Sequence, residues 1–382
     1  MTIHLTYGGS TIARTLECPA WVSLAKEVPK AVGASTFADE GTLLHNAMES
    51  LYSADGADSP NGCLGMRYNE QELTQELIDD KLVPAFEATE AVLDKYDMHK
   101  IQCEPFVQLI PDKAGGSIDM LCASEDGKTV VVIDYKFGYV TVPAEDNKQM
   151  LFYALAAMTD ATTADFFDRI EKLVCVIIQP NGDGEVADVW EVPEFDQVID
   201  ELEVSVVNSI AKSESPQAKE HTKTGDHCKY CPASATCPAK TGAAISALRL
   251  NPAKVEDLAT ALALIPQIES WISDVNKQAH EQLEIGVKIE GYKLVQKRAS
   301  RVWAGDAEEV FNNRKFKKAE LYETKPITPA KFEKLCKKKG IDFKKYAGYI
   351  TSISSGTTIA PDGDKRPSVV PTKALKALAD RL

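Results

Sequence analysis

The sequence lacks any long hydrophobic run. Of its 382 residues, 44% are hydrophobic, a normal proportion for a globular protein. Apolar runs such as residues 129–133 and 173–178 fall far short of the roughly 18 residues that a membrane span needs. The N-terminus also lacks the basic segment followed by an apolar one that marks a signal peptide. These absences argue against a membrane or secreted protein, so we expect a cytoplasmic one.

The chain also lacks an overall excess of positive charge. Its 43 Lys and Arg against 57 Asp and Glu give a net charge of −14, which by itself disfavours nucleic-acid binding. The distribution is uneven, because residues 293–345 carry +9 and the remainder carries −23. A basic C-terminal module on an acidic body fits a binding surface for a polyanion, and a merely solvated lysine-rich surface is the alternative.

A disulfide framework is not expected, because nine cysteines occur in a chain without a secretion signal. Five of them are isolated and are expected to be small buried hydrophobic side chains: Cys63, Cys103, Cys122, Cys175 and Cys336. The other four are Cys18, which precedes a proline, and the closely spaced Cys228, Cys231 and Cys237. No internal repeat or low-complexity tract interrupts the sequence.

The middle of the chain predicts an α/β core. Runs rich in β-branched residues, separated by turn signals, predict strands at 101–110, 116–123, 129–136, 173–179 and 186–192, with a helix at about 145–158. Helices are predicted before this region, at 11–26, 37–51 and 72–96, and after it at 195–211. This order of elements predicts a mixed sheet with helices packed on it.

The C-terminal part predicts a helical segment, a hairpin and a lysine-rich module. Apolar residues recur at three- and four-residue steps from Val255 to Ala279, and Pro266 is expected to kink or split this helix. A hairpin is predicted at 287–303, a linker at 354–371 and a short terminal helix bearing Leu375, Leu378 and Leu382. The predicted domains are 1–240, 251–353 and 354–382.

Asp134 and Lys136 form the most informative pair of residues. Residues i and i+2 of a strand face the same side, so these two side chains project together. Asp119 lies on the preceding strand, where hairpin pairing brings its carboxylate beside that of Asp134, and Glu104 on the strand before is a further candidate. Close carboxylates favour a divalent cation, and hard oxygen ligands suit Mg²⁺ or Mn²⁺. A neighbouring lysine can orient or deprotonate a metal-bound water.

Helical residues complete this constellation. Gln149 and Tyr153 are four residues apart and share one face of the helix that follows the strand. Upstream, His45 lies four residues after Gly41, a residue that allows close backbone approach, and a neutral imidazole is an ordinary metal ligand. Each feature alone is more often structural than functional. Their joint occurrence in this order is the stronger signal.

The ordered set resembles the motifs of RecB-like nucleases in the PD-(D/E)XK superfamily. The matching pairs are Gly41…His45, Gly116…Asp119, Asp134…Lys136 and Gln149…Tyr153. The resemblance implies a restriction-endonuclease-like mixed sheet flanked by helices, with a helical and basic C-terminal module following it. It also implies that His45, Asp119 and Asp134 bind one or two divalent ions and that Lys136 assists the attacking water. Gln149 and Tyr153 would support the site or the DNA strand.

The four remaining cysteines extend the resemblance. An early cysteine followed by a C-terminal C-x2-C-x5-C trio resembles the iron–sulfur ligands of CRISPR-associated and AddB-type exonucleases, which implies that Cys18, Cys228, Cys231 and Cys237 bind a [4Fe–4S] cluster. A zinc site completed by His227 or His221 and plain unliganded cysteines are the alternatives.

We therefore expect a metal-dependent DNA nuclease, and an exonuclease in particular, of phage recombination, replication or DNA processing, acting in the host cytoplasm if it is phage-encoded. Its expected partner is single- or double-stranded DNA, held by the lysine-rich module with help from Tyr292, Trp303 and Phe316 if these rings stack on bases. A recombinase or single-strand-annealing protein and a second copy of the chain are further candidate partners. The alternatives are a DNA-binding recombination-accessory protein with a vestigial nuclease core, and a CRISPR-adaptation-type nuclease.

Overall fold

A computed structural model describes residues 5–28, 36–181, 185–247, 249–250, 254–303, 321, 327–354, 356–361 and 363–369. The chain divides into two compact units, Met1–Trp271 and Ile272–Leu382. The boundary differs from the predicted break near residue 240. Residues 238–271 belong to the first unit because Lys240 Nζ donates to Ser270 Oγ at 2.9 Å and Trp271 Nε1 donates to the Ala235 carbonyl at 2.9 Å.

The first unit contains both helices and strands. Its strands are β1 Tyr7–Gly8, β2 Arg67–Tyr68, β3 Gln71–Glu72, β4 Met98–Cys103, β5 Phe106–Ile110, β6 Ala114–Ser117, β7 Met120–Ser124, β8 Thr129–Tyr135, β9 Lys172–Ile178 and β10 Ala187–Glu191. Its helices are α1 Gly9–Glu17, α2 Trp21–Ala25, α3 Thr36–Leu51, α4 Gln75–Leu77, α5 Val83–Lys95, α6 Lys148–Thr159, α7 Phe195–Glu214 and α8 Pro238–Ala247, and α9 Val255–Glu284 follows. The predicted mixed α/β core is confirmed.

A five-stranded mixed sheet forms the centre of this unit. The strand order is β10-β9-β8-β7-β4, and β8 and β9 are parallel while the other pairs are antiparallel. Successive residues of β8 face opposite sides, so Val130 and Val132 join one hydrophobic core while Val131, Ile133 and Tyr135 join the other. Both faces of the sheet are therefore covered, which explains the continuous apolar run in this strand.

A second sheet has three strands in the order β1-β6-β5. Two of the predicted strands are each divided between this sheet and the five-stranded one. The predicted strand 101–110 is β4 and β5 with a break at Glu104-Pro105, and 116–123 is β6 and β7 with a break at Ile118-Asp119. The two breaks face each other, because Glu104 N donates to the Asp119 carbonyl and Ile118 N donates to the Pro105 carbonyl, each at 3.1 Å. The chain thus passes between sheets at this point.

Two predicted helices are interrupted in the structure. The segment 11–26 is α1 and α2, separated at Cys18-Pro19, because proline has no amide hydrogen to continue the helical bonding. The segment 72–96 begins as strand β3, and α4 is followed by a π-helical turn at Ile78–Leu82 before α5. In contrast, α9 continues through Pro266 without being split. The flanking Leu262 and Ile265 are exposed, so water can satisfy the carbonyl group that proline leaves unbonded.

In its described residues, the second unit contains the end of α9, short strand pairs and a further helix with a small core. Strand β11 (Tyr292–Gln296) pairs with β14 (Thr357–Pro361), and β12 (Ser300–Trp303) pairs with β13 (Ile350–Ile353). The predicted hairpin at 287–303 is therefore wrong, because its two strands pair elsewhere. The predicted linker at 354–371 is also wrong in part, since it contains β14 and Ser368 bridges to Val295.

Helix α10 (Pro329–Lys338) of the second unit buries Phe332 and Cys336 against Tyr346. Phe316 and the predicted terminal helix with Leu375, Leu378 and Leu382 lie outside the described residues. None of the helices in the described ranges is long and apolar enough to cross a membrane.

Candidate metal-dependent active site

Three metal-ligating side chains converge where the two sheets of the first unit separate. His45 on α3, Glu104 after β4 and Asp119 between β6 and β7 place one ligand atom each within 4.8 Å of one another. His45 Nδ1 lies 3.2 Å from Asp119 Oδ1. Glu104 has a positive φ of 49°, a conformation that is uncommon outside glycine. The paired strand breaks thus direct both carboxylates to the imidazole.

Asp134 and Lys136 lie beside this trio at the end of β8, on the same side as the strand alternation predicts. Lys136 Nζ is 2.6 Å from Asp134 Oδ2. The Asp119 carboxylate is close by, because its Oδ2 accepts a 2.6 Å hydrogen bond from the backbone N of Tyr135. The third member of the closely grouped trio is therefore Glu104, whereas Asp134 was the predicted third ligand. Asp134 differs because its carboxylate turns toward Lys136.

Helix α6 supplies the two further predicted residues. Gln149 Nε2 donates to Asp134 Oδ1 at 2.8 Å, Lys136 Nζ donates to Gln149 Oε1 at 3.3 Å, and Gln149 Nε2 is 3.3 Å from Tyr153 Oη. The side chain of Asn147 caps the start of α6 by accepting from the backbone N of Gln149. The cap fixes the helix, and the helix fixes the glutamine against the Asp134–Lys136 pair.

The electrostatics of the site reflect burial of several carboxyl groups. Burial raises the pKa of Asp134 to about 6 and that of Glu104 to about 7, with Asp119 adding repulsion in both cases. The pKa of Asp119 is lowered, because His45 and the Tyr135 amide outweigh its own burial. Burial alone would lower the pKa of His45, but the neighbouring Asp119 raises it to about 8. The charge on Asp119 therefore influences the pKa of each of the other three groups.

These residues fit a hard divalent cation. Asp134 Oδ2 is buried, and although it pairs with Lys136 it makes no aligned hydrogen bond with any described group. Three carboxylates and one imidazole provide oxygen and nitrogen donors of the kind that bind Mg²⁺ or Mn²⁺. A cation would relieve the mutual repulsion that raises the pKa values of Glu104 and Asp134.

Gly41 does not have the predicted role of admitting a close backbone neighbour. A Cβ atom at Gly41 would meet nothing within 4 Å among the described residues. The residue of this helix that faces the site is His45, one turn later. Gly116 likewise has room, since a Cβ there would lie 3.4 Å from Tyr153 Cε1. Gly9, in contrast, is crowded, because a Cβ there would lie 2.4 Å from the same ring. Its contact is between elements distant in sequence, so no local pattern predicted it.

A second group with metal-ligand spacing was not predicted. Asp97, His99 and Glu125 lie within 4.8 Å of one another, and all three are exposed. Exposed acidic side chains at the ends of strands need no cation to be stable in water. We therefore regard this group as a comparison for the buried site and assign no role to it.

The four cysteines that were predicted to bind a cluster lie close together, next to the C-terminal end of α1. All are free thiols, with Cys18, Cys228 and Cys237 buried and Cys231 half-buried. Burial lowers the pKa of Arg14, and its neighbours Cys231, Cys228 and Cys18 oppose that shift. Cys18 and Cys228 both approach the Lys223 carbonyl. Segments more than 200 residues apart thus bring Cys18, Cys228 and Cys231 near one arginine, and Cys237 near Cys18.

One histidine of the alternative zinc site, His227, lies near these cysteines. Its Nε2 is hydrogen-bonded at 2.9 Å to the Lys223 carbonyl.

The structure also describes two of the aromatic rings that were predicted to stack on bases. Tyr292 is exposed. Trp303 is half-buried: its ring packs on Phe332 with centroids 5.4 Å apart, and its Nε1 donates to the Ile327 carbonyl. Stacking of these rings on bases stays a prediction.

Comparison with known proteins identifies a family that matches nearly the whole chain and solved structures that resemble part of it. Residues 4–367 match a family described as "Protein of unknown function (DUF2800)". A solved chain described as "Crystal structure of SSO0001" is 12% identical, and the match covers 63% of this chain and 89% of that chain with a TM-score of 0.28. A likeness at that TM-score supports no statement about the fold.

Proposed function

The chain belongs to the DUF2800 family, and from the geometry of its site we propose that it is a metal-dependent deoxyribonuclease with a PD-(D/E)XK-type core. The observation that carries the proposal is the position of the Asp134–Lys136 pair beside His45, Glu104 and Asp119. Hydrolysis of a phosphodiester needs a nucleophilic water and relief of the charge that develops on the phosphate. The site contains residue types for both tasks.

Each residue has a specific part in the proposed reaction. His45, Glu104 and Asp119, with Asp134, would hold Mg²⁺ or Mn²⁺, which supplies Lewis-acid stabilisation of the phosphate when it is bound. Lys136 orients the attacking water and takes part in its deprotonation. Gln149 holds both members of the Asp134–Lys136 pair. Tyr153 acts through Gln149 and is a positioning residue.

The cysteine group supports a [4Fe–4S] cluster as a second cofactor. Four thiols from Cys18 and the 228–237 segment suit such a cluster, and Arg14 places a positive charge where the ligated thiolates would add negative charge. Cluster binding would tie the end of α1 to the segment after α7. A zinc site remains the competing outcome, which metal analysis distinguishes.

The lysine residues of the second unit support DNA contact. Lys337, Lys338 and Lys339 are all exposed at the C-terminal end of α10. Basic residues neutralise phosphates without regard to sequence. We therefore place the main electrostatic attraction for DNA on this unit and the chemistry on the first.

The direct test is cleavage of end-labelled single- and double-stranded DNA by protein purified anaerobically, with Mg²⁺ or Mn²⁺. We expect Lys136→Gln to lower the cleavage rate by about 10²- to 10⁴-fold, the range for loss of a general acid–base group. Asp134→Asn should lower it at least as far and also weaken Mn²⁺ binding in calorimetry, because a ligand is lost. Lys136→Gln should leave Mn²⁺ affinity unchanged or raised, because a competing cation is lost.

The exposed group provides a matched control. Asp97→Asn removes a carboxylate from a His-containing cluster with the same 4.8 Å spacing, and it should leave the cleavage rate and Mn²⁺ affinity unchanged. Cleavage at the wild-type rate by Asp134→Asn would contradict the proposal. Absence of cleavage by the wild-type protein, with DNA binding intact, would instead favour the accessory-protein alternative.

A further inference from the structure

The loop that follows Lys136 leads directly out of the proposed active site. Residues 137–147 connect β8 to α6. Phe137 at its start is buried, with its ring centroid 5.5 Å from that of His45 and 6.3 Å from that of Tyr135. The first residue of the loop is therefore part of the wall of the site, and the next residues extend from it.

The backbone of this loop is fixed by two side chains from the segment after β9. Gln179, which is 5% exposed, donates from Nε2 to the carbonyls of Gly138 at 3.0 Å and Val140 at 2.8 Å, and its Oε1 accepts from Val142 N at 3.0 Å. Asn181 Nδ2 donates to the Phe137 carbonyl at 3.0 Å. Buried hydrogen bonds of this kind offset the entropy cost of ordering a loop. The loop therefore has a defined conformation.

The residues held at the tip of the loop are apolar and exposed to solvent. Tyr139 is 72% exposed and Val140 is 58% exposed. Lys81 Nζ lies 5.6 Å from the centroid of the Tyr139 ring, and this lysine is buried and paired with Glu40. A ring so exposed contributes little to the hydrophobic core. A fixed backbone that presents an aromatic ring to solvent next to an active site is typical of a stacking platform.

We propose that Tyr139 stacks on a nucleobase of the DNA strand whose phosphate lies at Lys136. The inference rests on the proposed nuclease function, because it takes the substrate to be nucleic acid. Three residues of chain span at most about 11 Å, roughly three base steps at 3.4 Å per step, so the ring reaches a base near the cleaved bond. A base inside a duplex is already stacked on both faces, so the subsite selects a base of a single strand or one at a strand end.

Binding measurements test this subsite without relying on cleavage. Fluorescence anisotropy with a labelled single-stranded oligonucleotide and Mg²⁺ is measured in a Lys136→Gln background. We expect Tyr139→Ala to weaken binding by about 5- to 150-fold, the range for loss of one base–aromatic stack. Tyr139→Phe should stay within about twofold, because the ring is retained. Tyr139 is exposed, so folding is not at risk, and an unchanged thermal melting curve verifies this.

A series of oligonucleotides with one abasic residue at successive positions identifies the stacked base. At one position, removing the base should weaken binding by the Tyr139→Phe protein, which keeps the ring, as much as Tyr139→Ala weakens binding to the intact oligonucleotide. The Tyr139→Ala protein should bind that abasic oligonucleotide no more weakly than it binds the intact one. Tyr230→Ala is the matched control, since Tyr230 is 63% exposed with Lys229 Nζ 5.3 Å from its ring centroid. It should bind every oligonucleotide as the background protein does.

The outcomes separate the subsite from the nuclease. If the wild-type protein cleaves DNA and Tyr139→Ala binds as tightly as the background protein, the stacking proposal is overturned and the nuclease stands. The same holds if Tyr230→Ala causes an equal loss. If cleavage is absent and the coupling between Tyr139 and one base position is present, the base subsite stands without the nuclease. Absence of any DNA binding overturns both.

Discussion

At the residue scale, the defining property of the site is that buried Asp134 and half-buried Glu104 and His45 hold protons more tightly than they would in an unfolded chain. The pKa of Asp134 is raised to about 6, that of Glu104 to about 7 and that of His45 to about 8. A group whose pKa is raised by folding stabilises the folded state below its unfolded pKa. That contribution is lost as the pH rises through the folded value.

These shifts predict that the metal-free protein loses stability between about pH 4 and pH 8. In EDTA, the melting temperature should be lower at pH 8.5 than at pH 5.5, because deprotonated Glu104 and Asp134 then repel Asp119. Saturating Mn²⁺ should reduce this difference, since metal binding needs the deprotonated ligands. Asp119 has a lowered pKa, so its ionisation stabilises the folded protein as the pH rises, but this effect is confined to lower pH. Differential scanning calorimetry at the two pH values measures the effect.

Glu104→Gln is the control variant for this prediction. It removes one raised group and keeps the size of the side chain, so it should raise the melting temperature in EDTA at pH 8.5 and have little effect at pH 5.5. The same substitution at the exposed Glu125 should change neither. A Glu104→Gln protein with the wild-type pH dependence would show that overall charge repulsion, not the site, causes the loss.

At the scale of elements, the sequence predicts the strand and helix of the core well but not the breaks that form the site. Asp134, Lys136, Gln149 and Tyr153 lie on regular elements, and the two- and four-residue spacings are sufficient to bring them together. Glu104 and Asp119 lie where strands change sheet. Their approach depends on the positive φ of Glu104 and on backbone bonds between the two breaks. Pro105 does mark the first break in the sequence, but no proline or glycine occurs at Ile118-Asp119 to mark the second.

Neighbouring glycines in β6 provide a test of whether the close approach of β5 and β6 supports the site. A Cβ atom at Gly115 would lie 2.2 Å from the Val107 carbonyl oxygen, whereas one at Gly116 would make an ordinary 3.4 Å contact with Tyr153. Because the Val107 clash is with backbone, β5 and β6 must separate to relieve it. We expect Gly115→Ala to destabilise the protein by about 2 kcal/mol or more, measured by urea unfolding.

Gly116→Ala is the matched control on the same strand. It should change the free energy of unfolding by well under 1 kcal/mol, since its added methyl group meets a ring at normal contact distance. Weaker Mn²⁺ binding by the Gly115→Ala protein would follow, because β6 leads into Asp119. Equal stability of the two variants would show that the β5–β6 approach is not tight in solution.

At the scale of the whole molecule, the division of the chain into units was harder to predict than the core. The linker-like composition of residues 354–371 conceals β14, whose partner β11 is about 65 residues earlier. Long-range pairing of this kind leaves no local signal. The cysteine group is the opposite case, because the spacing of Cys228, Cys231 and Cys237 was visible and the structure brings Cys18 to them.

The cysteine group predicts a brown protein whose N-terminal helix depends on the cluster. Cys18→Ser should abolish the broad absorbance expected near about 400 nm and reduce bound iron from about four atoms per chain. It should also lower the melting temperature, because the tie between α1 and the 228–237 segment is lost. The control is Cys63→Ala, at a buried and isolated thiol, which should keep its iron. Stoichiometric zinc without iron would support the zinc alternative.

The distribution of charge between the two units predicts how DNA affinity depends on salt. Residues 293–345 carry +9 and the rest of the chain −23, so most of the attraction should come from the second unit. Each phosphate contact adds about −0.7 to the slope of log affinity against log salt for single strands. Replacing Lys337, Lys338 and Lys339 with Gln should flatten the slope by up to about 2 and weaken binding to all sequences alike.

The choice of substitution matters, because these three lysines lie at the C-terminal end of α10. Glutamate there would oppose the helix dipole at about 0.3–1 kcal/mol per residue, whereas glutamine removes the charge without that penalty. The control replaces Lys100, Lys128 and Lys172 with Gln, which gives the same change in net charge. Lys128 and Lys172 lie where β8 and β9 begin, at the opposite end of β8 from Asp134. An unchanged slope in the α10 variant, or an equal change in the control, would mean that the second unit is merely a solvated lysine-rich surface.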